Sequence, residues 1–393
     1  MKKLVFLISP LCLLLLLLAT CGSSGLEIKT SGPTLQAYNS SFNVKVYIEN
    51  SGSMDGYMAN GSEFKDAIYS YVSALNSISK STQINYINST IIPLGIKVGD
   101  LVQHLNPTAF KTAGGTRGNS EFKQILGDII SKADNNNVVV FASDCILDIP
   151  SGSAAGFLGI TQTDIENIVT EKLKKLPTLG ICIYQLESKY SGYYYFPKGG
   201  RQPCNEKRPY YMWIIGSQRN LAHILRSIPE SKIQHGMKNY CAFAPAVNVN
   251  NSLFAAGKPV EKATLKSKHG NEYSCQLIAD LSLSLQNDKY LSNSDNYYST
   301  TKNIKTESVQ KLPTTSNASH IMNLSISDAV FSDFLCLKAQ GIPKWVNCSN
   351  GTKDDMIESG KTFSLSYIIG GVAAAYESKY KDAIKITLTT RKK

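Results

Sequence analysis

Two short β-branched runs, each ending abruptly in polar residues, constrain the fold of this chain more than any other feature. The first covers residues 44–48 and is followed by Glu49 and a Ser-Gly-Ser segment. The second, the wholly apolar residues 138–142, is followed by Ser143 and Asp144. Runs of this kind indicate strands that are buried on both faces, as in the sheets of α/β proteins. Such sheets bind ligands at the carboxyl ends of their strands.

Helical patterns alternate with strand-like runs as far as about residue 236. Apolar side chains recur at helical spacing after Ser62, after Asn119 and after a capping box that begins at Thr163. Further strand-like runs occupy residues 83–86, 90–94, 179–186 and 210–215. This alternation predicts an α/β domain over residues 41–236, with a doubly wound, mostly parallel sheet.

The pattern changes beyond residue 236. Thr, Ser, Asn and Tyr dominate there, and helical periodicity nearly disappears. Short alternating runs occupy residues 273–285, 321–326, 362–369 and 385–389. Alternation with a period of two is typical of strands with one buried face. We therefore predict a second, all-β domain over residues 237–393, built as a sandwich. A chain of 393 residues has room for two domains of ordinary size.

The N-terminus has the pattern of a targeting segment. Two lysines precede an apolar run at residues 4–18, which closes with the sequence Leu-Ala-Thr-Cys at Cys21. This ending resembles the lipobox of bacterial lipoproteins, which implies a signal peptide at residues 1–21 and a lipid such as palmitate on Cys21. Residues 22–40, rich in Ser, Gly and Thr, are then a tether. The implied location is the bacterial cell envelope, and Gly22 favours the outer membrane. The alternative is an ordinary secretory leader that is cleaved nearby.

Charge and histidine placement weigh against two classes of function. The formal net charge is +11, but the excess is scattered, without a basic helix or a recognisable nucleic-acid motif. We therefore expect no nucleic-acid partner. The five histidines are isolated in the sequence, and none falls in a recognisable catalytic motif. We do not expect an enzyme, although a metal-dependent hydrolase that uses Glu49 and Asp144 remains an alternative.

The segment after the first strand carries the oxygen ligands of a candidate cation site. Glu49, Ser51 and Ser53 occupy every second position, with Gly52 between the two serines. This spacing lets a carboxylate and two hydroxyls converge on one point, and such ligands suit a hard divalent cation. The segment resembles the first metal-site motif of von Willebrand factor A (vWA) domains, Asp-x-Ser-x-Ser, with Glu49 in place of the leading Asp. The alternative from this segment alone is a polar strand-to-helix turn that binds nothing.

Two further segments resemble the vWA pattern, in the family's order along the chain. Thr116 lies in a Gly-Gly-Thr loop before a predicted helix, and Asp144 ends the second strand, where the family has Thr-Asp-Gly. The resemblance covers roughly residues 41–228 and implies a vWA-like domain in a bacterial lipoprotein. It implies a metal site made of Glu49, Ser51, Ser53, Thr116 and Asp144. The metal is then Mg²⁺ or another divalent cation, and in this family it keeps one position open for an acidic side chain of a protein partner.

Glu49 departs from the family pattern, because glutamate is one methylene longer than aspartate. The longer side chain leaves three outcomes open: the cation is displaced outward, is coordinated differently, or is not bound at all. Asp55 and Asp148 are close enough in the sequence to compensate. The sequence therefore also admits a structural envelope protein with a degenerate, metal-free site.

An aromatic segment with flanking cations lies between two predicted strands. Tyr193, Tyr194 and Tyr195 precede Arg201, and the first of the two strands ends on the side of the sheet that carries the candidate site. Rigid aromatic side chains next to cations are typical of protein-binding surfaces. We therefore predict ligand contacts at Asp55, Tyr193, Tyr194, Tyr195 and Arg201. The alternative is a β-hairpin whose tyrosines pack on their own domain.

Overall fold

The computed structural model describes residues 25–33, 35, 41–118, 121–149, 154–228, 230–233, 235–269, 272–314, 316–327 and 329–393. The predicted signal segment 1–21, with Cys21, lies outside these residues, as does part of the predicted tether. The described chain is a mixed α/β protein with several sheets.

Strands and helices are numbered along the chain within the described residues. The strands are β1 (Leu26–Thr30), β2 (Asn43–Glu49), β3 (Ser81–Ile87), β4 (Ile91–Pro93), β5 (Asn137–Ser143), β6 (Leu179–Tyr195), β7 (Arg201–Ser217), β8 (Met237–Phe243), β9 (Val247–Asn248), β10 (Asn251–Ala255), β11 (Lys258–Val260), β12 (Lys262–Leu265), β13 (Ser267–His269), β14 (Glu272–Ala279), β15 (Tyr297–Ser299), β16 (Ile304–Lys311), β17 (His320–Ser327), β18 (Ser332–Lys338), β19 (Asn350–Gly351), β20 (Thr362–Phe363) and β21 (Asp382–Lys392). The α-helices are α1 (Glu63–Ile78), α2 (Leu101–His104), α3 (Pro107–Thr112), α4 (Phe122–Ser131), α5 (Ala154–Lys175), α6 (Gln218–Ser227), α7 (Asp288–Leu291), α8 (Lys344–Cys348) and α9 (Leu365–Glu377). Short 3-10 helices cover Gly52–Met58, Val98–Asp100, Glu230–Lys232, Leu281–Ser284 and Ser294–Asn296.

A seven-stranded sheet contains β2 and β5, the strands that the runs at residues 44–48 and 138–142 predicted. Its order is β4-β3-β2-β5-β7-β6-β8. β2 lies parallel to β3 and to β5, whereas the other neighbours are antiparallel. The sheet is thus mixed rather than mostly parallel. The reason is local, because the short connection 196–200 between β6 and β7 allows only a hairpin. A parallel connection needs a crossover of roughly a dozen or more residues.

Alternate residues of the central strands face two separate apolar cores, one on each side of this sheet. Val44, Val46 and Ile48 of β2 lie in the core that α1 and α6 cover. Tyr47 lies in the core that α4, α5 and α9 cover. Both faces of β2 are therefore buried over residues 46–48, which explains why three apolar residues follow one another there, whereas Lys45 is half-buried.

Two further six-stranded sheets contribute to a third apolar core. One has the order β12-β1-β21-β18-β15, with β9 beside β21. The other has the order β11-β10-β14-β17-β16, with β13 beside β14. Inward-facing residues of both sheets meet in one cluster, which includes Leu26, Ile28, Leu277, Met322 and Ile386. The alternating sequence of these strands follows from the single face that each buries.

The sequence predicted a single boundary at residue 236. The chain instead crosses more than once between the part with the seven-stranded sheet and the part with the two six-stranded sheets. β1 lies within the predicted tether, yet it pairs with β12 and β21. β8 begins at Met237 and pairs with β6 of the seven-stranded sheet. α9 also joins that part, because Gly371 lets it approach α5 closely: a Cβ there would lie 2.5 Å from the Gln162 carbonyl oxygen. The two parts are therefore interleaved along the chain.

α9 replaces much of a strand predicted at residues 362–369, of which only β20 remains extended. Most residues of α9 are buried, on nearly every side of the helix. The segment consequently lacks the polar face by which periodicity reveals a helix. Neither α9 nor any other helix in the described part of the chain combines the length and apolarity needed to cross a membrane.

Candidate functional site

The ends of two neighbouring parallel strands bring the two predicted carboxyl ligands together. β2 pairs with β5 so that Ile48 lies opposite Ala142, and Glu49 and Ser143 follow at the carboxyl ends of these strands. The Ser143 hydroxyl donates a hydrogen bond to Glu49 Oε2. Asp144 comes next and is 2 % exposed, compared with 5 % for Glu49. Two carboxyl groups are therefore buried at one edge of the sheet.

The loop after β2 that contains Ser51 and Ser53, which we call the serine loop, lies against these two carboxyl groups. The hydroxyl oxygens of Ser51 and Ser53 are 3.0 Å apart. The Ser51 hydroxyl favours the ionised form of Glu49, and the Ser53 hydroxyl favours that of Asp144, so each lowers the pKa of the carboxyl group beside it. The structure thus brings together four of the five predicted metal ligands. We call Glu49, Ser51, Ser53, Ser143 and Asp144 the acid site.

The acid site holds its carboxyl groups in an environment that opposes ionisation. Burial raises the pKa of Glu49 to about 8, with a further contribution from the Asp144 charge and an opposing one from the hydroxyls of Ser143 and Ser51. Burial also raises the pKa of Asp144 to about 6, although the Ser53 hydroxyl favours its ionised form. Two neighbouring buried carboxyl groups ionise together only at a large cost. The pair therefore retains a proton near neutral pH, and a cation in its place would allow both groups to ionise.

The donor atoms of the acid site fit a hard divalent cation. All of them are oxygens, from two carboxyl groups and three hydroxyls, and Mg²⁺ in proteins is commonly bound through one or two carboxylates with other oxygens completing its shell. In the part of the chain that the structure describes, no group of three or more His, Cys, Asp and Glu side chains is arranged to hold a metal. A metal at the acid site would therefore depend on the serine hydroxyls.

Thr116, the fifth predicted ligand, lies on a neighbouring loop and is exposed. Its backbone N–H donates to the Ser89 hydroxyl at 2.9 Å. The loop meets the serine loop through the next residue, because the Gly52 N–H donates to the Arg117 carbonyl oxygen at 3.1 Å. The structure therefore places Thr116 at the rim of the acid site and not in its buried cluster.

Arg117 joins the glycine-rich loop to the serine loop. Its Nε donates to the Asn50 carbonyl oxygen at 2.8 Å, and its Nη2 donates to the Ser51 carbonyl oxygen at 3.2 Å. The same Nη2 pairs with the carboxylate of Asp55, so this predicted ligand contact is engaged within the chain. The sequence pattern singles out neither Arg117 nor Ser143. The only available signal is that each directly adjoins a predicted ligand, and its role depends on partners that are distant in sequence.

The β6–β7 hairpin extends beyond the end of β5 and reaches the acid site. The Tyr195 ring faces Gly52, where an added Cβ would lie 3.3 Å from Tyr195 Cζ. The Tyr190 hydroxyl donates to the Ser53 carbonyl oxygen at 2.9 Å. These contacts position the serine loop, and they show that the tyrosine segment lies on the side of the sheet that carries the acid site.

The other predicted residues of the tyrosine segment differ in exposure. Tyr193 is 46 % exposed, and the Arg201 guanidinium carbon lies 4.5 Å from the centre of its ring. Tyr194 is buried, and the Arg208 guanidinium carbon lies 4.6 Å from its ring centre. Tyr193 and Arg201 therefore lie on the protein surface, whereas Tyr194 is buried against residues of the same part of the chain.

A cleft of about 590 Å³ opens beside the hairpin tip. Phe122, Leu147, Phe157 and Tyr195 supply apolar walls, and Asp148 supplies an exposed carboxyl group. Its volume falls within the range of roughly 300–1,000 Å³ that is typical of ligand pockets. Because Tyr195 also faces the serine loop, the cleft and the acid site are neighbours.

No protein-family model matches this chain, and no curated protein matches it.

Proposed function

We propose that this protein is a lipid-anchored protein of a bacterial cell envelope, and that a vWA-like unit binds an acidic group of a protein partner through a divalent cation. The observation that carries the proposal is the convergence of Glu49, Ser51, Ser53 and Asp144 in one buried cluster. These residues come from two segments that resemble vWA metal motifs. The third such segment, with Thr116, meets the same loop through its backbone.

Glu49 and Asp144 would hold the cation, with the hydroxyls of Ser51 and Ser53 beside them. A bound Mg²⁺ would supply a coordination position for an oxygen ligand from outside the chain. At the rim, Arg201 and Tyr193 offer a cation and an aromatic ring to the protein that carries this ligand. The nearby cleft adds apolar surface, so the site has the mixed character of a protein-binding region.

The proposed anchor rests on the apolar run and the lipobox-like ending at Cys21. β1 begins at Leu26, five residues later. An extended chain of that length spans at most roughly 18 Å. A lipid on Cys21 would therefore keep the sheet that contains β1 close to the membrane.

Calorimetric titration of Mg²⁺ into the mature chain tests the metal site. We expect binding heat for the wild type, none for Asp144→Asn, and retained or tighter binding for Glu49→Asp, because the shorter side chain matches the family's ligand. Asp128→Asn is the matched control, since Asp128 is exposed on α4 and should not affect binding. If neither the wild type nor Glu49→Asp binds Mg²⁺, the site is a metal-free structural relic and the proposed capture of a partner loses its mechanism.

A capture experiment tests the partner. Wild-type and Asp144→Asn chains are immobilised and incubated with an envelope extract in Mg²⁺ or in EDTA, and retained proteins are identified by mass spectrometry. We expect a protein that the wild type retains in Mg²⁺ alone and that Asp144→Asn does not retain. Identical sets of proteins in Mg²⁺ and EDTA would contradict metal-dependent capture.

Labelling with a radioactive fatty acid tests the anchor. Cells that express the wild-type chain should incorporate label into its N-terminal peptide, and cells that express Cys21→Ser should not. Label in the N-terminal peptide of Cys21→Ser would show that the lipobox assignment is wrong.

A further inference from the structure

The outer face of the sheet that contains β1 concentrates positive charge. β1 lies between β12 and β21, with Lys29 opposite Lys262 and Glu27 opposite Arg391. Side chains alternate along a strand, so these four residues project from the face that points away from the apolar core. Lys29, Lys262 and Arg391 are all exposed. The strand register therefore groups cations that are scattered in the sequence.

Two more lysines extend this surface, and its carboxylates are paired. The Lys393 ammonium lies 3.1 Å from the Thr264 hydroxyl of β12, and Lys385 is exposed further along β21. Arg391 pairs with Glu27 at 2.6 Å, and Lys385 pairs with Asp382 at 3.3 Å. A hydrogen bond from Arg391, assisted by the charges of Lys262 and Lys393, lowers the pKa of Glu27. The cations here outnumber the carboxylates, and we call this region the basic face.

Exposed aromatic side chains continue the basic face. Phe334 of β18 lies opposite Thr387 of β21 and is 45 % exposed. Tyr298 of β15 is 37 % exposed and lies in register with Cys336, which in turn lies opposite Lys385. Cations beside exposed aromatic rings are the combination that the surface of a bilayer favours, since phosphates attract the cations and rings enter the interface.

The position of β1 in the sequence also points to a membrane. β1 starts five residues after Cys21, and its first residue, Leu26, lies opposite Lys392 at the end of β21. Because only five residues separate the two positions, a lipid on Cys21 would lie within roughly 18 Å of Leu26 even if that segment were fully extended. One lipid chain binds a bilayer weakly, and a second attachment through basic residues makes the anchoring stable.

We infer that the basic face lies on a bilayer and binds anionic phospholipid headgroups through Lys29, Lys262, Arg391 and Lys393, with Phe334 in the interfacial region. This attachment is separate from the acid site and needs neither Mg²⁺ nor a protein partner. It orients the chain on the membrane, whereas a lipid by itself only tethers it.

Vesicle flotation tests the inference on the chain from residue 22 onward, which carries no lipid, so that the result is independent of Cys21. We expect it to float with vesicles of equimolar phosphatidylcholine and phosphatidylglycerol and not with vesicles of phosphatidylcholine alone. Binding should weaken as salt is added, because salt screens attraction between exposed charges. Equal binding to both kinds of vesicle, or binding to neither, would overturn the inference. Mg²⁺ calorimetry on the same chain reports separately on the acid site.

A double substitution locates the surface. Lys29→Gln with Lys262→Gln should weaken binding to the anionic vesicles by about fivefold for each lysine removed. Lys80→Gln with Lys97→Gln removes the same charge from exposed positions in the part that contains the seven-stranded sheet, and should leave binding unchanged. If both double variants lose the same affinity, the attraction comes from the net charge of the chain and not from the basic face.

A tryptophan probe reports contact with the interface. Phe334→Trp should show a blue shift of its fluorescence when anionic vesicles are added, because its ring leaves water. Met356→Trp is the matched control, since Met356 is also 45 % exposed but lies outside the basic face, and its emission should not change. Flotation without a blue shift at position 334 would mean that the chain binds through another surface, which refutes the inference.

Discussion

Glu49 should destabilise the metal-free protein, although it is proposed to bind the cation. Burial raises the pKa of Glu49 to about 8 in the folded chain, from its ordinary value of 4.5. Between these two pH values the folded state keeps a proton that the unfolded state releases. The contribution of Glu49 to the free energy of unfolding is therefore fully present below pH 4.5, and it is lost as the pH rises to 8. Glutamine carries no such proton, so Glu49→Gln removes this dependence.

The size of the effect follows from the width of this window. Each pH unit within it corresponds to about 1.4 kcal/mol of unfolding free energy. The amide keeps an oxygen to accept the Ser143 hydrogen bond, but its NH₂ group needs a new acceptor, for which Asp144 is the nearest carboxyl group. Part of the gain is lost in that rearrangement. We therefore expect Glu49→Gln to stabilise the metal-free chain by on the order of 1–3 kcal/mol near neutral pH, and by almost nothing at the acidic end of the window.

Urea unfolding in EDTA, followed by circular dichroism at both ends of the window, measures this difference. Glu307→Gln is the control, because Glu307 is 43 % exposed on an edge strand and should have little effect at either pH. Mg²⁺ at about 100 times its dissociation constant should then stabilise the wild type by about 2.7 kcal/mol and leave Glu49→Gln unchanged. If Glu49→Gln is less stable than the wild type in EDTA near neutral pH, Glu49 supports the fold and the reasoning fails.

Three further predictions concern the rest of the fold. Gly371→Ala should lower the free energy of unfolding by about 1–3 kcal/mol, because its Cβ would lie 2.5 Å from a carbonyl oxygen of α5. Gly370→Ala meets only a side chain, at 3.3 Å, and should be nearly neutral; equal urea midpoints would contradict the close packing of α9. Asp333→Ala should cost about 2–4 kcal/mol in the same assay, since its carboxylate accepts hydrogen bonds from the hydroxyls of residues 299–301, and a negligible loss would contradict this network. Burial lowers the pKa of His320 to about 4, so its stabilising contribution should be lost as the pH falls from 6.5 to 4. Thermal melts should show that loss in the wild type relative to His320→Gln, and parallel profiles would refute it.

Local sequence determined the elements that carry the candidate site. The run at residues 44–48 predicted a buried strand, and the polar residues after it predicted where that strand ends. Because β2 and β5 are parallel, their carboxyl ends lie at one edge of the sheet, and this brings Glu49 and Asp144 together as predicted. The sequence also predicted the helices α1 and α4, since each has an apolar face at helical spacing.

Local sequence was less informative for a helix that is buried on nearly every side and for strands whose partners are distant in the sequence. α9 has no polar face to reveal it, and the extended segment at Leu26–Thr30 resembles a tether until β12 and β21 are placed beside it. The hairpin of β6 and β7 made the sheet mixed, although the patterns of the two strands alone suit a parallel sheet equally well. Short polar motifs also do not encode Ser143 or Arg117, whose partners come from other segments.

Periodicity and residue type are properties of neighbours in the chain, and they settled which segments are strands or helices and where oxygen ligands occur. The order of strands, the burial of Glu49 and the grouping of lysines on one face depend on contacts between residues far apart in sequence. Those contacts are selected by how much apolar surface the whole molecule buries. The same carboxyl group is an ordinary acid in an exposed loop and retains its proton at neutral pH in the acid site, because only the tertiary structure removes the water around it.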